Sequence, residues 1–563
     1  MKFSEYVYIR PDFKEIEKKF NEYCEKFENA DTIEDAINII DEIGKIRSDV
    51  STMINLAQIR HSVNTFDEFY NAEQEYLDEY LPIYSGLENK LSITLFNSKF
   101  KDDLIKKYGK HFFNLIEVSL KTFKPEIIED LQEENKLATE YGKLIASSNI
   151  EFDGKSLNLS QLKPYTESLD RETRKKANDA SCGWFKEHEQ EFDDIYDGLV
   201  KVRTRIANKL GYKNYVELGY NRLGRTDYNS EMVAKYRDQI KKYVVPLASS
   251  IVAEQSKRIN IDNLKNYDLN LFYVDGNPKP VGSVHELVEK ARTMYHEMSK
   301  EAGEFFDFMC EHELFDLEAK KGKESGGYCT FIENYQSPFI FANFNGTSGD
   351  VDVLTHEAGH AFQVYSSRDA ILPEYLWPTY EAAEIHSMSM EFFAHPWMQS
   401  FFENDAKKYL YSHVCGTITF LPYGACVDEF QHAIYENPEM TKEERKETWR
   451  KIEKQYLPYK IYDNEILERG TFWFRQGHIF SSPFYYIDYT LAQVCAFQFF
   501  NMMNEDKEKA WDTYVKLCKL GGTKPFLGLL KEVGLQNPFK NGTIKKVVKP
   551  LSEYLNTFDD SNM

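Results

Sequence analysis

Apolar positions recur at spacings of three and four through most of the chain, the period of a helix that buries one face. In residues 11–30, Phe13, Ile16, Phe20, Tyr23 and Phe27 form such a stripe, with Lys and Glu opposite. Asp31 with Glu34 offers a capping-box start for the next helix. The same period runs through INIIDEIGKIRSDVSTMINLAQIR and LDEYLPIYSGLENKLSITLF. The first third therefore reads as long amphipathic helices packed on one another.

Three stretches break the period. At 148–165, IEF and LNL flank Asp153-Gly154, a turn pair that predicts a β-hairpin. Helices are expected again from about 167. At 268–283, LNLFYVDGNPKPVG gathers Gly and Pro and reads as an internal loop. At 325–350, SGGYCTFIENYQSPFIFANFNGTSGD, Phe339, Phe341 and Asn343 alternate as on a strand, which leads by a turn into another helix. The last five residues, DDSNM, read as a frayed end. The pattern predicts a mainly α protein in two packed halves with a small sheet. The boundary falls near 200, with residues 1–200 an N-terminal helical domain and 201–563 the part that carries the chemistry.

Composition narrows the class. The 563 residues are 42% hydrophobic and 28% charged, which is globular, and 37 Tyr with 40 Phe exceed what packing requires, so some rings should line a surface. The 91 acidic against 69 basic side chains give a net charge of −22, a field that repels nucleic acid and anionic lipid. No apolar run reaches a membrane span and the start lacks a signal-peptide core, so a cytoplasmic location is expected. The eight cysteines are scattered singly, as reduced thiols are, and not paired as in a Cys-ligated metal site.

The helix after the third break contains DVLTHEAGHAFQVY, residues 352–365. His356 and His360 stand one turn apart, so both imidazoles reach one ion, while Glu357 is rotated by about 100° and stands beside that ion as a base toward its water. Chance places such a pattern in roughly three per cent of chains this long, so context decides. GTSGD supplies a turn upstream, Val353, Leu354, Ala358 and Phe362 supply a face to bury, and Gly359 permits close approach. A catalytic site needs a third ligand. PTYEAAEIHSMSMEFF reads as a second helix starting at Pro378, with Glu381, Glu384 and Glu391 on one side and His386 pointing away. One of the three carboxylates should bind the ion.

HEAGH, followed after 23 intervening residues by the Glu of EIHSMSME, resembles the thimet oligopeptidase and oligoendopeptidase F superfamily of zinc peptidases. The likeness is closest to bacterial Pz-peptidases and extends over nearly the whole chain, through IEFDGKSLNLSQLKPY, PFIFANFNGTSGDVDVLTHEAGH and HIFSSPFYYIDY. It implies one Zn2+ per chain on His356, His360 and Glu384, Glu357 as base, and Glu391 as a partner that orients an imidazole. It also implies a large two-lobed helical body enclosing a substrate channel, with the small sheet beside the zinc helix. In GHIFSSPFYYIDYTLAQ it implies oxyanion donors from a His followed by a cluster of Tyr; the offset from His478 to the tyrosines differs from the thimet-type branch, so the choice among Tyr485, Tyr486 and Tyr489 stays open, with His478, Tyr486 and Tyr489 taken as the donors and Tyr485 as a substrate contact.

The strand SPFIFANFNG is expected to offer an edge to an extended peptide, with Ala342 and Asn343 as its central contacts. These parts describe a zinc endopeptidase that cuts short peptides by activating zinc-bound water through Glu357. Cobalt and manganese suit the same ligands. Related helical enzymes make a dipeptidyl carboxypeptidase the alternative, and a non-catalytic peptide-binding scaffold is the reading from another class.

Overall fold

The structure, a computed structural model, describes residues 1–558; the stretch DDSNM lies outside the described residues. Helix α1 (Phe13–Glu28) starts where the Asp12 carboxylate accepts hydrogen bonds from the amides of Lys14 and Glu15, and it buries Phe13, Ile16, Phe20 and Phe27. Helix α2 (Ile33–Val63) is capped by Thr32, which accepts from the Asp35 amide; Asp31 lies one residue too early. Helix α3 (Glu68–Phe96) returns against both. The three enclose a first core around Phe20, Phe27, Leu77 and Leu91, which Leu372 and Tyr375 join from far along the chain.

Strands β1 (Ile150–Phe152) and β2 (Lys155–Leu157) form the expected hairpin. Asp153 and Gly154 both take positive φ, 54° and 70°, as a two-residue turn of this twist requires. The second strand ends at Leu157 because Asn158 caps a short helix by accepting from the Gln161 amide. Residue 200 lies within helix α4 (Glu189–Lys209), with Val200 fully buried, and the second, larger core draws on residues from Tyr6 to Leu555.

A three-stranded sheet follows: β3 (Phe315–Glu318), β4 (Tyr328–Ile332) and β5 (Ser337–Phe344), in the order β3-β5-β4. β5 runs parallel to β3 and antiparallel to β4, where Cys329 faces Ile340 and Phe331 faces Pro338. Every β5 residue except Asn343 is buried. This corrects the expectation for Ala342 and Asn343. With a strand on each side, β5 has no edge for a peptide. The Ala342 carbonyl instead accepts from Lys323 Nζ, and Asn343 Nδ2 donates to the carbonyls of Glu324 and Gly326, pinning the loop before β4.

Four helices surround the site: α5 (Gly349–Ser366), α6 (Tyr380–Phe393), α7 (Ala406–Glu436) and α8 (Tyr486–Glu505). The turn into α5 is held by the Asp350 carboxylate, which accepts from the amides of Asn345 and Gly346 at 2.9 and 2.8 Å. α6 is buried at every residue after Tyr380 and packs between α5 and α8. Gly359 sets the α5–α6 approach, since a Cβ there would stand 2.6 Å from both the His386 carbonyl oxygen and Ser387 Cα. Gly359→Ala should therefore lower unfolding stability by about 1–3 kcal/mol, as overpacking does. A denaturant midpoint equal to that of the parent would mean the two helices are not in such contact. Among the described residues no helix is long and apolar enough to cross a membrane, and the eight cysteines are free.

Candidate metal centre

One helical turn of α5 separates His356 from His360, and α6 brings Glu384 between them. The Nε2 atoms of both histidines lie 3.2 Å from the same Glu384 oxygen, Oε2. The three donor atoms fall within 4.8 Å of one another. The other two carboxylates of α6 are engaged elsewhere. Glu381 accepts from the Thr379 hydroxyl at 2.9 Å, and burial, partly opposed by Arg225, pushes its carboxyl up to about 7. Glu391 Oε1 lies 2.7 Å from His356 Nδ1, and its Oε2 lies 2.8 Å from His413 Nε2. His413 Nδ1 meets His395 Nε2 at 3.0 Å, so a chain of four side chains ends on the ring of His356. With Nδ1 engaged, His356 has Nε2 free as a ligand atom. Two imidazole nitrogens and a carboxylate oxygen that converge from two rigid helices fit a divalent transition-metal ion. His386 is fully buried away from this group, its Nδ1 3.3 Å from the Ala383 carbonyl.

Glu357 is 6% exposed and stands beside the ligands without joining them. A Cβ added at Gly327, just before β4, would meet Glu357 Oε1 at 3.2 Å, so the carboxylate packs on bare glycine backbone. Its Oε2 is buried with no hydrogen-bond partner among the described residues. Burial, opposed only in part by His356 and His360, pushes this carboxyl up from its ordinary range.

Across the cavity, His478 Nε2 lies 3.1 Å from the Tyr489 hydroxyl, and the Tyr485 hydroxyl donates to Glu384 Oε1. Gln476 Nε2 donates to His478 Nδ1 at 2.9 Å and its Oε1 accepts from the Tyr423 hydroxyl at 2.9 Å, an assignment that leaves the His478 proton on Nε2. Burial pushes His478 down to about 4, so its ring is neutral near pH 7. Tyr486 requires a correction. Residues 485 and 489 are four apart and share a helix face, whereas 486 is turned by about 100°. Tyr485 and Tyr489 accordingly line the metal cavity, and Tyr486 lines a neighbouring one.

Gly327, Gln476 and the His413–His395 pair escaped the sequence reading. Gln476 could have been found, standing two residues before His478 and immediately ahead of the stretch GHIFSSPFYYIDYTLAQ. No spacing links His413 or His395 to the histidine pair of α5.

The metal cavity has a volume of about 900 Å³ and includes all three ligands, Glu357, His478, Tyr485 and Tyr489 in its wall. A second, of about 890 Å³, shares Gly327–Thr330, His478 and Tyr485 with it. A third, of about 510 Å³, shares His478 and Tyr489 with the first. A fourth, of about 530 Å³, shares Arg475 and Gln476 with the second and Asn270 and Phe272 with the third. His478 thus lies where three cavities meet.

Residues 3–123 match the model of the peptidase M3 N-terminal domain, and residues 164–548 match that of peptidase family M3. A solved structure of Pz peptidase A with an inhibitor is similar at a TM-score of 0.99 and 54% identity, covering 99% of this chain and 100% of that one. An oligoendopeptidase F homolog of Borreliella burgdorferi is 27% identical over 236 residues, 40% of this chain and 39% of the relative. One of Mycoplasma genitalium is 20% identical over 409 residues, 68% of this chain and 66% of the relative. The chain thus spans less than two thirds of the length of either of these two relatives.

Proposed function

Because the chain belongs to peptidase family M3, we propose that it is a zinc-dependent endopeptidase that hydrolyses internal bonds of short oligopeptides inside a channel formed by the linked cavities. The observation that carries this reading is the convergence of His356, His360 and Glu384 on one point, with Glu357 beside them and unpartnered. The eight free thiols fit a reducing, cytoplasmic setting.

Zinc held by these ligands supplies Lewis acidity toward a water and the scissile carbonyl. Glu357 accepts the proton of the attacking water and passes it to the departing amine; a carboxyl that burial pushes up is well matched to both transfers. His478 and the Tyr489 hydroxyl donate hydrogen bonds to the oxygen on which negative charge develops, Gln476 keeps the His478 proton on the side that needs it, and Tyr485 holds Glu384 through its own hydroxyl. The peptide lies along β4, whose only strand partner among the described residues is β5. Asn55 Nδ2 covers the Phe331 carbonyl at 3.1 Å, so Gly327 to Thr330 form the usable edge, directly beside Glu357. Cavities of about 510 to 900 Å³ would exclude folded proteins and admit extended chains.

A fluorogenic peptide acetylated at one end and amidated at the other tests this reading. It should be cut internally, and a chelator should stop the cutting until zinc is restored. Cleavage confined to free-carboxyl peptides, two residues from the end, would make the enzyme a dipeptidyl carboxypeptidase. No cleavage of either peptide with zinc supplied would leave a binding scaffold.

A further inference from the structure

Arg475 ends the turn Phe472–Arg475, three residues before His478, and lines both the cavity of about 890 Å³ and that of about 530 Å³. Its guanidinium carbon lies 4.8 Å from the ring centre of Phe185 and 4.4 Å from that of Phe472. Its Nε is buried with no hydrogen-bond partner, and among the described residues it forms no ion pair. Its contact with the Cys182 thiol brings no charge to balance it, since burial pushes that thiol up and keeps it neutral. Glu453, a nearby acid, is shared by Arg450 at 3.1 Å, Lys460 at 3.3 Å and the Tyr462 hydroxyl at 2.7 Å. Lys460 Nζ lies 3.1 Å from the ring centre of Phe472 and also lines the fourth cavity, so two cations flank one aromatic ring. Burial, with Arg475 adding repulsion, pushes Lys460 down to about 8.

A half-buried guanidinium with no carboxylate beside it among the described residues is notable in a chain of net charge −22, where carboxylates to pair it are abundant. Planar and flanked by rings, it is preorganised for a forked contact with a carboxylate. We propose that Arg475, its field reinforced by Lys460, is an anion subsite that binds a carboxylate of the peptide being cut. The three-residue separation from His478 keeps the two Cα atoms within about 11 Å, so the bound carboxylate lies a few residues from the scissile bond. The carboxylate comes from the peptide's C-terminus or from an Asp or Glu side chain.

This inference rests on the peptidase reading, and matched peptides separate the two. One pair differs only in a C-terminal acid or amide; a second series, all amides, carries Glu or Gln at successive positions. The parent enzyme should prefer one carboxylate-bearing form by about 10- to 100-fold, mainly through KM, as for a charge-assisted hydrogen bond. Preference within the first pair identifies the terminus, and preference at one position of the second identifies a side chain. In Arg475→Met the ratio should collapse toward one, and Arg475→Lys should restore part of it. A ratio unchanged in Arg475→Met, or absent in the parent, overturns the subsite. Calorimetric binding of the same pairs to Glu357→Gln protein reads the subsite without turnover, so an inactive parent would sink the peptidase reading alone.

Discussion

Glu357→Gln keeps its fold and its metal and loses about 10²- to 10⁴-fold in turnover, the usual worth of a positioned acid–base group. Glutamine has the same size and preserves the packing on Gly327, but its amide cannot take a proton from water near neutral pH. Glu357 Oε2 is buried without a partner, so a neutral group is cheaper to hold there, and the variant should unfold no earlier than the parent. Single-turnover kinetics, metal analysis and a denaturant titration on one preparation check all three. Loss of metal would make Glu357 a ligand; substantial residual turnover would move the base elsewhere.

Glu384→Gln acts in the opposite sense, by emptying the site. It removes the one carboxylate that meets both histidines, with its oxygen 3.2 Å from each. Metal affinity should fall by more than the 10- to 100-fold typical of losing an outer partner, and turnover should fall with it. Glu381→Gln, three residues earlier and turned toward Thr379, should bind metal as the parent does. Competition against a chromogenic chelator measures both. Equal affinity in parent and Glu384→Gln would exclude Glu384 as a ligand.

What could be read in the sequence follows the reach of each interaction. The α1 stripe, the Asp153-Gly154 turn and the histidine pair of α5 depend on neighbours within one turn, and all three stand where their spacing places them. The choice among Glu381, Glu384 and Glu391 is not local, because helix period leaves all three on one side; only the resemblance singled out Glu384, and the packing through Gly359 shows why it alone meets both rings. Ala342 and Asn343 failed for a related reason. Alternation marks a strand but says nothing of its place in a sheet, which β3 and β4 decide. Tyr486 was misplaced because the start of α8 sets the phase of the whole tyrosine cluster, and a one-residue change of phase exchanges which hydroxyls face the cavity. Arg475 is one cation among 69 basic residues until the structure shows that no carboxylate answers it among the described residues.

The run from His395 through His413 and Glu391 to His356 sets the aim of that ring through hydrogen bonds among protein side chains. Apoprotein and holoprotein should accordingly share one architecture. Loading then becomes a reversible solution equilibrium, in which the free concentration of the ion tunes how many molecules are competent while leaving the scaffold unchanged.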